Sequence, residues 1–425
     1  MMTSKVESKE LYELIKEKVE GKREEIVSFT QELIRTKSVN PPGNEEKVAE
    51  ILIGKLKELG FKLEVIEVEK GRPNIIATIK GTKPGPRFLC YSHMDTVHEW
   101  DASKWSTDPF GAEIIDDKIY GRGSCDHKSE IVCLLTAFET LKEVGTEFSG
   151  ELVFIFDSDE EQGGTMGMRE LMKRNKVQAD IGLYACTTQI SRESKANFPT
   201  CGEVNIVHAA TGIVTYKFIV SGSTPHPRYL MNLENSSTPG DYSMKLLSKI
   251  NQLADKVNQH YDERTGHAKI WVNSINTISK VEAARPGAMG VCELVVTRRT
   301  SPSEDLDHAE QDLLNLVEEL EYENDILVEK ELIRKRPATL VPIDSQIVKE
   351  VKRAAEIVDG SEPKVTGVPA LTGMGWFVNE GQIPMVMFGY GNLDFHHCFD
   401  EHIEISDLIK STQAYAILIK NIVGQ

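Results

Sequence analysis

Short apolar runs alternating with segments of helical period constrain the fold of this chain most. "NIIATI", "RFLCY", "ELVFIF", "ADIGLYA" and "PMVMFGYG" are brief and apolar, as buried strands are. "KLEVIEV" alternates polar and apolar residues, as a strand with one buried face does. "NEEKVAEILIGKLKELG" sets Val48, Leu52, Leu56 and Leu59 at helical spacing and stops at Gly60. "EIVCLLTAFETLKEV" and "SDLIKSTQAYAILIKNIV" also read as helices. Strands alternating with helices predict an α/β core with a mainly parallel sheet. From about residue 190 to 305 the pattern changes: strand-like "VTYKFIVSG" and "GVCELVVT" flank the helix-like "DYSMKLLSKINQLADKVNQHY". The earlier alternation resumes with "AEQDLLNLVEELEY". At 425 residues the chain is long enough for two cores. The expected organisation is one α/β domain built from residues 1–189 and 306–425, split by an inserted α+β domain at 190–305.

Charge narrows the function classes. A net charge of -17 offers no basic face to a nucleic acid or an anionic membrane, so neither is an expected partner. The start, "MMTSKVESKELYELIKEKVEGKREE", is charged and helix-prone and has no apolar signal-peptide core, and no run approaches a membrane span. The seven cysteines (90, 125, 133, 186, 201, 292 and 398) are scattered and odd in number, which does not read as a disulfide framework. A reducing cytoplasm is the expected location.

The stretch "LVFIFDSDEEQGG" empties an apolar strand into Asp157, Asp159, Glu160 and Glu161. Like charges that close repel, more so in a low dielectric, and solvent, basic side chains or a cation must offset them. Three further segments place similar chemistry where open α/β sheets collect function, beyond strand ends. "SHMDTV" carries His93 and Asp95, "GRGSC" leads to Asp126 at a helix start, and "NLDFHHCFDEH" carries His396, His397 and His402. Residues two apart on an extended segment point the same way, so Asp95 is able to fix the tautomer and orientation of a metal-binding imidazole. Imidazoles with carboxylates suit zinc, and also manganese, cobalt or nickel. One or two acids would bind the cation, and another, close but unbound, would take a proton from water.

These segments together resemble the co-catalytic metallopeptidase family that holds aminoacylase, acetylornithine deacetylase, succinyl-diaminopimelate desuccinylase and the glutamate carboxypeptidases. The motifs are "SHMDTV", "DDKIYGRGSCDHK", "SDEEQGG" and "GYGNLDFHHCFDEH", and the likeness covers nearly the whole chain. The resemblance implies a catalytic domain binding one or two divalent metals, zinc or manganese, and an inserted lid domain that dimerises. It implies His93 as the first metal ligand, Asp95 as its supporting partner and Asp126 as the carboxylate bridging two metals. Glu160 is implied as the general base, with Glu161 and His397 as further ligands. His226 in "SGSTPHPRYL" is implied to reach the partner subunit's site and stabilise an oxyanion, and Arg298 in "VTRRTSP" to grip a substrate carboxylate, with Arg228 as a further candidate. A homodimer or higher homo-oligomer follows if His226 acts in trans.

The chain departs from the family pattern at several positions. Where the family has an acid completing the first metal site, this chain has Cys186. Two readings are open: a thiolate ligand suited to zinc, or a small buried residue that leaves one site a ligand short. The family's "GGTDA"-like stretch reads "LTGMG", Leu371 to Gly375, and an alanine before the late histidine is replaced by His396, read as a substrate contact. His98, His127 and His402 read as solvated or supporting residues, and Cys125 and Cys398 as packing. The leading expectation is a metal-dependent hydrolase of a C–N bond in a small carboxylate-bearing substrate, an N-acyl amino acid or short peptide by default. Two alternatives stand beside it: hydrolytic deamination of an electron-poor aromatic amine such as 5-nitroanthranilate, and a non-catalytic relative that has lost a metal.

Overall fold

The computed structural model describes residues 2–190, 204–223, 238–278, 289–324 and 326–424. The chain divides into two compact units. The first comprises Met1–His208, Val341–Thr366 and Gly373–Gln425; the second comprises Ala209–Leu340 and Gly367–Thr372.

The first unit is organised by a mixed sheet. Its strands run in the order Lys62–Glu69, Arg72–Lys80, Ser149–Asp157, Lys83–His93, Ile181–Ala185 and Met385–Phe388, followed by Asn205–Ala210. The four strands from Ser149–Asp157 to Met385–Phe388 pair in parallel, whereas the pairings on either side are antiparallel. The sheet is therefore parallel only at its centre, where the expectation was a mainly parallel one. Ile181–Ala185 and Met385–Phe388 are buried throughout, as befits parallel strands covered on both faces. Helices Lys128–Glu143 and Ile405–Val423 share one core with these strands, which explains why both are apolar nearly all round. Helix Glu46–Glu58 buries Val48, Ala49, Leu52 and Leu56. It ends where Gly60, at φ +87°, lets the Phe61 and Gly60 amides reach back to the Leu56 and Lys57 carbonyls.

The second unit is a four-stranded antiparallel sheet in the order Lys269–Ile278, Met289–Thr300, Gly212–Ser223 and Val328–Arg336. Helices Pro239–Val257 and Leu306–Asn324 pack on it through Leu246, Ile250, Leu313, Val317 and Leu320. Thr238 and Asp241 cap the first of these helices reciprocally, with Pro239 at its first turn. The expected insertion, 190–305, is corrected at both ends. The structure moves its start to Ala209 and carries it through Leu340, because the helix containing "AEQDLLNLVEELEY" buries its apolar face in this core and not in the first. Among the described residues no helix is long and apolar enough to cross a membrane. Six cysteines are described and all are free.

Candidate metal centre

Four neighbouring parallel strands end along one edge of the sheet, and every cluster member follows one of those ends or the loop before helix Lys128–Glu143. Register makes the alignment explicit. His93 pairs with Asp157, Tyr91 with Tyr184, and Ala185 with Phe388, so His93, the acidic stretch, Cys186 and the "GYGNLDFHH" loop emerge side by side.

The four carboxylates of "DSDEE" have different fates. Asp157 receives the Met168 amide at 3.0 Å. Asp159 receives Asn40 at 2.9 Å, the Met166 amide at 2.8 Å and the Arg72 guanidinium at 3.3 Å. A basic side chain therefore offsets one charge. Glu160 accepts from the Tyr184 hydroxyl at 3.2 Å, and Glu161 lies 3.0 Å from His397 Nε2. Asp95 holds the acid pair from behind, accepting the Glu160 and Glu161 amides at 3.2 and 3.1 Å and Asn40 Nδ2 at 2.8 Å. Its Oδ1 and its carbonyl oxygen both face His93 Nδ1, at 3.2 and 3.0 Å. Both neighbours are acceptors, so Nδ1 bears a proton; against the cost of burial, Asp126 and Asp95 hold the His93 imidazole well above its usual value in the metal-free chain.

Asp126 is the hub. Its Oδ1 lies 3.0 Å from His127 Nδ1 and 3.5 Å from His93 Nε2, and its Oδ2 lies 3.0 Å from His397 Nε2 and 3.4 Å from His396 Nδ1. Its loop is held by Glu401. That fully buried carboxylate accepts the Gly123, Cys125 and Asp126 amides at 3.0, 2.8 and 3.0 Å and pairs with Arg122 at 2.6 Å. His397 turns toward Asp126 from a left-handed backbone, φ +59°, a conformation found where surrounding contacts over-determine it.

Burial alone would raise the Asp126 carboxyl, but the surrounding imidazoles of His127, His396, His397 and His93 hold it well below the usual range. Burial pushes the Glu160 carboxyl upward, with Asp126 and Asp95 adding to the rise and His93 opposing it. Burial and Asp126 likewise push Glu161 up to about 8. Burial, with the neighbouring histidines, keeps His127 neutral despite Asp126. Burial also keeps the Cys186 thiol protonated in the metal-free chain.

Several expected residues are placed otherwise. Arg298, expected to grip a substrate carboxylate, is buried and directs its guanidinium to Asp312, Glu304 and the Ala309 carbonyl, at 2.5, 3.2 and 3.0 Å, within its own unit. His396, expected as a substrate contact, turns inward: Nε2 lies 2.6 Å from Thr187 Oγ1 and Nδ1 faces Asp126. Cys398 is exposed and not packed, whereas Cys125 is buried against Thr187. His226 and Arg228 fall outside the described residues. Within "LTGMG", Gly373 lies against Glu160: a Cβ there would come within 2.9 Å of Glu160 Oε1. Sequence reasoning missed Tyr184 and Glu401 and read His127 only as a solvated or supporting residue. His127 Nδ1 sits 2.6 Å from His93 Nε2 and its Nε2 3.0 Å from Cys186 Sγ. The only signal was its position beside Asp126.

The residues fit divalent cations. Three groups each offer ligand atoms within 4.8 Å of one another: Asp126, Glu161 and His397; His93, Asp126 and His127; and His127, Cys186 and His396. Glu161 Oε1 is buried without a hydrogen-bond partner among the described residues, an unmet acceptor of the kind a cation satisfies.

Comparison with known proteins agrees with this geometry. The family model "Peptidase family M20/M25/M40" matches residues 89–421. N-formyl-4-amino-5-aminomethyl-2-methylpyrimidine deformylase of Bacillus subtilis is 26% identical over 435 residues, covering 95% of this chain and 96% of that protein. Succinyl-diaminopimelate desuccinylase of Hydrogenovibrio crunogenus is 26% identical over 404 residues, covering 94% and 99%. The M20 family metallo-carboxypeptidase Sso-CP2 of Sulfolobus solfataricus shares the fold at a TM-score of 0.73 and 18% identity, covering 93% and 98%. With its ligand groups gathered at the carboxyl ends of the parallel strands, the chain belongs to peptidase family M20/M25/M40 and is a hydrolase of that metallopeptidase family.

Proposed function

We propose that this hydrolase removes the acyl group from a small, carboxylate-bearing N-acylated amine, an N-acyl amino acid or short peptide being the default substrate. The observation that carries the reading is Glu160: a half-buried carboxylate, pushed upward, held by Tyr184 and adjacent in the chain to a ligand-type acid. Two relatives are named for acyl removal, as a deformylase and a desuccinylase.

Two cations per chain, zinc or manganese, are assigned to the ligand groups around Asp126. One would be held by Asp126, Glu161 and His397, and the other by residues among His93, Asp126, His127, Cys186 and His396. When bound, such a cation supplies Lewis acidity to the scissile carbonyl and makes water easier to deprotonate. Glu160 accepts the proton from water as the C–O bond forms, then delivers it to the leaving nitrogen as the C–N bond breaks. Asp95 keeps Glu160 in place through the backbone amides of the acid pair. The developing negative charge is assigned to His226 of a second copy, which makes the working form at least a homodimer. Because Arg298 is engaged by Asp312 and Glu304, Arg228 takes the substrate carboxylate in this reading. Six free cysteines suit the reducing cytoplasm.

The test is Glu160→Gln, assayed against N-formyl, N-acetyl and N-succinyl amino acids and dipeptides by release of free amine. The expected outcome is loss of about 10²–10⁴-fold in kcat with metal content unchanged. Full turnover by the variant would refute the mechanism.

A further inference from the structure

We infer that Tyr184 is a positioning residue for the proposed base: its hydroxyl and the Gly373 backbone together fix Glu160 Oε1 and leave Oε2 as the oxygen that moves the proton. The inference rests on the metallohydrolase reading above and names the groups that aim its base.

Strand geometry puts Tyr184 in place. Residues two apart on a strand face the same way, so Tyr184 shares a face with Cys186, which follows the end of strand Ile181–Ala185. Tyr91 shares a face with His93 on the neighbouring strand and pairs with Tyr184 in register. The two tyrosine rings meet edge to face with centroids 4.6 Å apart, and the Phe377 ring lies 4.9 Å from that of Tyr91. Packed in this way, Tyr184 is 2% exposed, and its hydroxyl donates to Glu160 Oε1 at 3.2 Å. A phenylalanine would fill the same ring space. The hydroxyl adds only the bond to Glu160, and a buried hydroxyl is costly unless it is bonded.

The same oxygen is confined by backbone as well. A Cβ added at Gly373 would come within 2.9 Å of Glu160 Oε1 and 2.9 Å of the Trp376 ring, so the chain passes too close for a side chain. The Glu160 amide is fixed in turn by Asp95 Oδ1 at 3.2 Å. Oε2 accepts no hydrogen bond from any described residue. A glutamate side chain turns about several bonds, and ordering them before the reaction is what a positioning contact contributes. The contact also outlasts the proton transfer. When Oε2 takes the proton from water, Oε1 becomes the carbonyl oxygen of a carboxylic acid and still accepts from Tyr184. The proton then leaves Oε2 for the departing nitrogen, and Tyr184 keeps its own throughout.

The experiment is a double-mutant cycle on the metal-loaded full-length enzyme, joining Tyr184→Phe to Glu160→Gln. Steady-state kinetics are measured on whichever N-formyl, N-acetyl or N-succinyl amino acid wild type hydrolyses fastest. Tyr184→Phe should lose about 10–100-fold in kcat, with KM and metal content unchanged. In the Glu160→Gln background the same change should cost less than about twofold, because no base remains to be aimed. Where that background is too slow to follow, Glu160→Asp replaces it: the shorter carboxylate stops short of Tyr184, so Tyr184→Phe should again change little. Gly373→Ala crowds the same oxygen and should lower kcat at constant KM; it becomes the deciding variant if Tyr184→Phe does not fold, and wild-type kcat there would sink the inference. An unchanged kcat in Tyr184→Phe, an equal loss in both backgrounds, or a loss that follows departing metal would overturn it as well. None of these outcomes touches the hydrolase reading, which fails separately, if Glu160→Gln keeps its turnover.

Discussion

Asp95 illustrates how a residue that need not touch a metal decides what the metal ligands do. Its two oxygens meet the Glu160 and Glu161 amides, Asn40 and the His93 ring. Asp95→Asn keeps the shape but replaces one acceptor by a donor, which must then face an N–H. We expect metal affinity to fall by about 10–100-fold, the usual cost of removing a ligand's supporting partner. Competition with a chromophoric chelator measures it; an unchanged affinity would show that the Asp95 contacts position nothing. The same residue shows why part of the centre was legible in the sequence. His93 and Asp95 stand two apart, and the acids cluster within one short stretch, so their shared direction follows from local geometry. His127 and Glu401 gave no such signal. His127 acquires its role from Cys186, far along the chain, and Glu401 from amides of the Gly123–Asp126 loop that only folding brings to it.

At the scale of elements, helices Lys128–Glu143 and Ile405–Val423 meet over a buried polar contact. Glu130 faces the Tyr415 hydroxyl, and Ser411 lies 3.5 Å away. Burial pushes Glu130 up to about 8, with Tyr415 and Ser411 opposing the rise. The sign follows from linkage: a carboxyl raised above its ordinary value of 4.5 favours the fold while protonated. Its contribution is complete below about 4.5 and is lost as pH rises through about 8. Glu130→Gln should therefore hold its unfolding midpoint where wild type declines. The gap should grow between pH 6 and 9 to on the order of a few kcal/mol. Parallel wild-type and variant melting curves across that range would exclude Glu130 as the titrating group. The helices themselves were legible from their period. Which sheet each would cover was not: "AEQDLLNLVEELEY" has the same amphipathic form whether it packs on the first core or on the second, where Ala309, Leu313, Val317 and Leu320 are buried.

The whole molecule joins two cores with unequal stakes in the metal, since every ligand-type residue of the cluster lies in the first unit. In the metal-free chain, Asp126 and Glu161 raise His397 to about 11, and burial with Asp126 raises Glu161 to about 8. The pair therefore holds at least one proton at neutral pH that a cation must displace. Binding then releases protons, and affinity weakens as pH falls below about 8. A cation present at about 100–1,000 times its dissociation constant stabilises the folded form by roughly 3–4 kcal/mol. Calorimetric scans with and without a strong chelator should thus show one transition moving down, that of the first unit, while the transition of the second unit stays. The displacement should shrink between pH 8 and pH 6. Equal movement of both transitions would mean that the units unfold as one, and a displacement that grows on acidification would contradict proton-coupled binding at Glu161 and His397.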